Sequence, residues 1–321
     1  MTYSLYYTIE QEAEVAGNQI VQMTNCADSV DIVACLSGVD PETLVNLPTV
    51  ARFVVVDHDF ILSTGLQVTG KGPAAHVPVL WGTVADDGAA FIGYPTEDQS
   101  LEAAIEAIAF PVNLTAKAIS SGLFPQPNTG NLTLDIFNVT ARIATDIEFR
   151  CLDQASVFSA IKHDVFTDVW YYQFDRAYQT PGFNPNAPVC QPPITATHPF
   201  GDPSLPYFKC HSGDLYYEFG TLGQFALPFR DSLDLPFMQL VSDHWISFVR
   251  AHDPNPDPAF LEARGYTATL EQIEKSGSWN QVTKTSNTLR RLDIPSKQDS
   301  FLELAQCELL ELPLDFYETN L

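Results

Sequence analysis

The stretch VPVLWGTVADDG, residues 77–88, carries the reading of the fold. Its apolar run from Val77 to Trp81 has the length of a buried strand, Gly82 ends the run, and Asp86-Asp87-Gly88 makes an acidic turn. A carboxylate therefore stands at the tip of a strand, where the active sites of open α/β sheets gather. Outward from it, Val169 to Phe174 (VWYYQF) reads as a second strand, rich in β-branched and aromatic residues, behind a helix over Cys151 to Ile161. Leu101 to Phe110 is helical in period. From Pro236, the positions Phe237, Leu240, Val241, Trp245, Phe248 and Val249 recur at helical spacing. Val15 to Met23 reads as a helix, Phe53 to Val56 as a short apolar run, Asn113 to Thr140 as loop-rich, and the segment after Phe174 as a long loop to about Lys209. Alternating strands and helices predict an α/β fold, and no linker demands a second domain, so 1–321 is expected to form one.

Composition narrows the function. Sixteen Lys and Arg face 40 Asp and Glu, a net charge of −24, and a surface that acidic repels DNA, RNA and anionic lipid. No run approaches the roughly 18 apolar residues that cross a bilayer. Hydrophobic residues at 45% and aromatics at 12% suffice for a sizeable core.

The compartment signals conflict. The N-terminus, MTYSLYYTIEQEAEV, has neither the basic start nor the apolar centre of a signal peptide. Yet Asn113, Asn131 and Asn138 each open an Asn-x-Thr sequon, and six cysteines fit three disulfides. Cys26 and Cys35 bracket a short polar loop and Cys190 and Cys210 a proline-rich one, which leaves Cys151 and Cys307. Six cysteines allow about fifteen connectivities, and sequence does not choose among them. The sequons and cysteines lead to an expectation of secretion.

Of the seven histidines, His211 has the best setting for proton transfer. It lies in KCHSGDL (209–215), among small polar residues at the end of the long loop, with Asp214 three positions on. A general base on such a loop is aimed by a carboxylate that fixes its tautomer, and Asp87 is the acid best placed by context. Asp214 either tunes His211 or caps the next turn. A zinc site from Cys210, His211 and Asp214 lacks a second ligand cluster, and no metal or cofactor is called for.

From about Val15 onward the chain resembles the type-B carboxylesterase, cholinesterase and fungal lipase family of α/β-hydrolases. The resemblance runs through CLSG (35–38), FVVVDHDF (53–60, with His58 where the family has Gly), VPVLWGTVADDG (77–88), RIATDIEFRC (142–151), the strand 169–174, HSGDL (211–215), WISF (245–248) and DPN (253–255). It implies the C-terminal part of an α/β-hydrolase sheet with flanking helices and a short-loop Cys26–Cys35 disulfide. It also implies a small-molecule carboxylic ester as substrate, His211 as general base and Asp87 as its acid, in the family's nucleophile, acid, histidine order.

Two departures matter. Asp87 stands where the cholinesterase and lipase branches carry Glu, one methylene shorter. No serine has glycine two before and two after it, and no glycine-rich oxyanion loop is present. The expectation is a chain with two triad members that lacks the nucleophile and is inactive alone. The serine, and a signal peptide, would belong to a missing N-terminal part of the same enzyme. The alternative is a non-catalytic, cholinesterase-like binding or adhesion module.

Overall fold

The computed structural model describes residues 6–49, 54–108 and 110–319. They form two compact units that divide between Leu66 and Gln67.

In the first unit, strand β1 (Tyr6–Thr8) pairs in parallel with β2 (Val54–Val56). Phe53, the first residue of the expected run 53–56, lies outside the described residues. Helix α1 (Ile9–Glu12) begins six residues before the expected start at Val15, because Thr8 and Gln11 form a reciprocal capping box. It continues through a π-helical turn (Ala13–Gly17) into α2 (Asn18–Met23). Cys26 is bonded to Cys35, which lies on α3 (Ile32–Ser37), and α4 (Pro41–Val45) follows. His58 has φ +62°, a left-handed conformation that suits Gly and makes the family's preference for Gly there physically intelligible.

The second unit is built on a four-stranded sheet in the order β3 (Val79–Val84), β4 (Val169–Phe174), β5 (Thr288–Leu292), β6 (Lys297–Ser300). The first three strands are parallel and β6 is antiparallel to β5. Side chains of β4 alternate between two buried faces. Trp170 and Phe174 pack with Phe237, Leu240 and Trp279, whereas Val169 and Tyr171 pack with Val157, Leu289 and Phe301. Burial on both sides is why this strand reads as a continuous apolar run. Among the described residues β3 pairs only with β4, so its other edge is open.

Between β3 and β4 run α5 (Leu101–Ala107), α6 (Val112–Ser120), α7 (Leu132–Thr145), a π-helical turn (Asp146–Arg150) and α8 (Cys151–Lys162). The expectation of a loop-rich 113–140 is corrected here: only 121–131 is loop, and two sequon asparagines lie within helices. Asn131 N-caps α7, its side chain accepting from Leu134 N–H at 3.1 Å, and Ile136, Phe137, Val139 and Ile143 are buried. The long loop after β4 leads to α9 (Leu215–Glu218) and α10 (Asp234–Ala251). α11 (Pro258–Arg264), α12 (Thr267–Ser276), α13 (Leu304–Leu309) and α14 (Phe316–Thr319) complete the chain. No helix among the described residues is long and apolar enough to cross a membrane.

Cys151 at the head of α8 is bonded to Cys307 in α13, closing a 156-residue separation. Both are buried with Ile143, Leu114 and Leu310. Chain-entropy arguments give a bridge over so long a loop about 2–5 kcal/mol of stability. The Cys151→Ala/Cys307→Ala double variant is therefore expected to lose that much in denaturant unfolding of the purified chain; a loss within a few tenths of a kcal/mol would contradict the assignment.

Candidate functional site

The end of β3 builds the acid. Asp87 opens a one-turn 3-10 helix (Asp87–Ala90), and its Oδ2 accepts from Val84 N–H at 2.8 Å, so the strand's own backbone orients the carboxylate. Only 4% of Asp87 is exposed. Gly88 is needed beside it: a Cβ there would lie 2.4 Å from Thr145 N, because the turn presses against the end of α7, and Gly88 N–H donates to Thr145 Oγ1 at 3.0 Å.

The histidine comes from the long loop after β4. That loop is fixed to the acid turn by a two-way clamp in which Asp86 N–H donates to Lys209 O (2.9 Å) and Lys209 N–H donates to the Asp86 carboxylate, Oδ2 (2.8 Å). Cys190 and Cys210 are disulfide-bonded, so the Cys210 thiol is not available as a nucleophile. Gln179 Nε2 donates to His211 O at 2.9 Å, and Tyr178 N–H to Gly213 O at 2.7 Å. Ser212, at φ +70°, holds the left-handed position where the resembling motif has Gly.

These constraints bring His211 Nδ1 to 2.8 Å from Asp87 Oδ1, across 124 residues of sequence. With Nδ1 bonded to the acid, Nε2 is the nitrogen available for proton transfer. The ring sits among Phe91, Phe149 and Phe183, with centroids at 5.0, 5.6 and 6.1 Å, and 28% of the side chain remains exposed. Local sequence pattern gave no hint of this aromatic cage, since its members come from three separate segments. His163 meets Glu318 at 3.0 Å and His198 meets Asp202 at 3.2 Å, both with acids more open to solvent than Asp87.

Burial works against the charged imidazole, but the hydrogen bond and charge of Asp87 and the charge of Asp214 outweigh it, so the His211 pKa is raised above 6.5. Asp214 starts α9 without a side-chain capping bond. Burial first, then repulsion from Asp87, pushes its pKa to about 6. One turn on, burial and the Asp214 charge push Glu218 to about 7, and Tyr172 Oη donates to it at 3.3 Å. Burial also lifts Glu148, in the π-helical turn beside Phe149, to about 7. The local sequence pattern does not reveal Glu148 or Glu218, because the burial that shifts them is tertiary. Since the folded His211 pKa lies above the unfolded one, its contribution to stability is complete below about pH 6.5 and is lost as pH rises through the folded value. Asp214→Asn removes one charge that favours the imidazolium. The His211 titration followed by NMR should therefore move to lower pH in that variant, and an unmoved midpoint would contradict the electrostatic role.

All three sequon asparagines are exposed. Residues 3–310 match the family model described as the carboxylesterase family. No curated protein matches the chain. That family has the α/β-hydrolase fold, with which the mixed sheet and its helices are compatible, and its members hydrolyse small-molecule carboxylic esters. With residues 3–310 of 321 matched, this chain belongs to the carboxylesterase family.

Proposed function

We propose that the chain carries the acid and base of a serine-type carboxylic ester hydrolase, and that the serine is supplied by another segment of the same enzyme. The observation that carries this reading is the 2.8 Å hydrogen bond from His211 Nδ1 to an Asp87 carboxylate already anchored by the β3 backbone. It is the pairing a nucleophilic serine requires. The open edge of β3, at whose end Asp87 sits, gives a further parallel strand and the nucleophile turn a place to add beside the site.

In this mechanism the serine Oγ attacks the ester carbonyl while His211 Nε2 takes its proton, and Asp87 stabilises the imidazolium. His211 then returns the proton to the departing alcohol. A water activated by His211 releases the acid from the acyl-enzyme. Oxyanion donors belong to the same outside segment as the serine, so residues 1–321 alone turn over esters only at background rates. Asp87 is one methylene shorter than the Glu of the resembling branches, yet its Oδ1 meets His211 Nδ1 at 2.8 Å while Oδ2 is held by Val84 N–H. Three disulfides and three exposed sequons support a secreted glycoprotein, and the −24 charge suits that setting.

A fluorophosphonate probe applied to the native secreted protein tests the reading. A labelled serine is expected on a polypeptide or complex that contains this chain, with labelling lost in His211→Ala. No labelled serine at any chain length, together with a tight protein partner in a pull-down, would replace the esterase by a binding module.

A further inference from the structure

Beside the clamp that joins the acid turn to the histidine loop lies a cavity of about 1060 Å³. This is slightly above the range of pockets that hold drug-sized ligands, about 300–1,000 Å³. Prolines of the 185–193 loop form one wall, the ring of Tyr94 contributes flat apolar surface, Tyr207 lines the floor with Lys209 Nζ 4.2 Å from its ring centroid, and α7 supplies the other wall. Tyr207 is fixed by a bond from Ala177 N–H to its hydroxyl (3.1 Å), which donates in turn to Ala177 O (3.0 Å). Tyr94 rests against Phe137 at 4.9 Å between centroids and remains 38% exposed. Asn131 and Asn138 both line this cavity. Their spacing of seven residues is two turns of α7, which places them on one face about 10 Å apart.

Each of these asparagines opens an Asn-x-Thr sequon, and two such residues facing one apolar cavity identify its occupant by chemistry. We propose that an N-linked glycan on Asn138 folds into the cavity, with its first N-acetylglucosamine ring stacked by its C–H face on Tyr94. The inference rests on the secretion reading above. Attachment forms the Asn138 Nδ2–C1 bond as the C1–O bond to the lipid diphosphate of the oligosaccharide donor breaks. Nδ2 gives up one proton and no electrons are transferred. The order of events follows from the structure. The Thr140 hydroxyl that the transferase must recognise is 1% exposed in its residue and donates to Ile136 O and Phe137 O inside α7. The sugar is therefore added before α7 closes, and folding then lays it against Tyr94. Asn131 has its Oδ1 committed to the Leu134 N–H and the Thr133 hydroxyl, which leaves its nitrogen out of the cap at the cavity's rim.

The test is site-resolved deglycosylation of the full chain secreted from a glycosylating host. Under native conditions a peptide:N-glycosidase should release the glycan of Asn113, which does not line the cavity, and release that of Asn138 about tenfold or more slowly, because cleavage there waits for local opening. After denaturation both should come off together. Tyr94→Ala should leave Asn138 occupancy unchanged and abolish its protection. Equal native release from Asn113 and Asn138, or an occupied Asn113 beside an unoccupied Asn138, would overturn the inference alone. An absence of glycan from all three sites would overturn the secretion reading with it.

Discussion

The hydrogen bond between His211 and Asp87 depends on two loops being held to each other far from where either begins. The acid turn is fixed by β3 behind it and by α7 against Gly88. The histidine loop is long and proline-rich and has no regular structure of its own to stiffen it, so its order is imposed at a few points. The Asp86–Lys209 clamp, the Cys190–Cys210 bridge and the Gln179 bond to the His211 carbonyl supply those points within a few residues of the imidazole. The clamp uses the residue next to the acid and the one two before the histidine, so the same contact that joins the loops also sets the distance between the two side chains.

The charge around this bond is arranged to matter. Asp214, just before α9, faces both Asp87 and His211, and burial and repulsion from Asp87 raise its pKa to about 6; burial lifts Glu218 on α9 and Glu148 beside Phe149 to about 7. The Asp214 charge favours the His211 imidazolium, so the negative field at His211 grows as pH rises through the Asp214 midpoint. An imidazole with a carboxyl neighbour that titrates close to its own range has a pH response set by both groups rather than one.

Much of this was legible in residue order. The β4 strand falls on the expected residues because it is buried on both faces, and α10 shows the period of one buried stripe. Asp87 was recognisable from the Asp-Gly turn after an apolar run, and His211 from small polar neighbours and the resemblance around them. Helix α7 was not, because its capping Asn131 and its two sequons resemble loop chemistry when read locally. The β5–β6 hairpin was hidden by its charged residues: Arg290 is buried, but its guanidinium donates to the carbonyls of Ser276 and Gly277 at the end of α12, a contact no periodicity announces. The aromatic cage and the raised carboxyl pKa values arise only from tertiary packing.

The central claim is that Asp87 exists to hold His211 in one tautomer and to stabilise its charged form. The most direct measurement is the ester hydrolysis rate of the enzyme that unites this chain with its serine, compared between native and Asp87→Asn forms. A fall of about 10⁴-fold in kcat with little change in KM is predicted, as for the loss of the aspartate in other serine triads. A kcat within a few-fold of native would mean that the bond is structural and that the catalytic acid lies elsewhere.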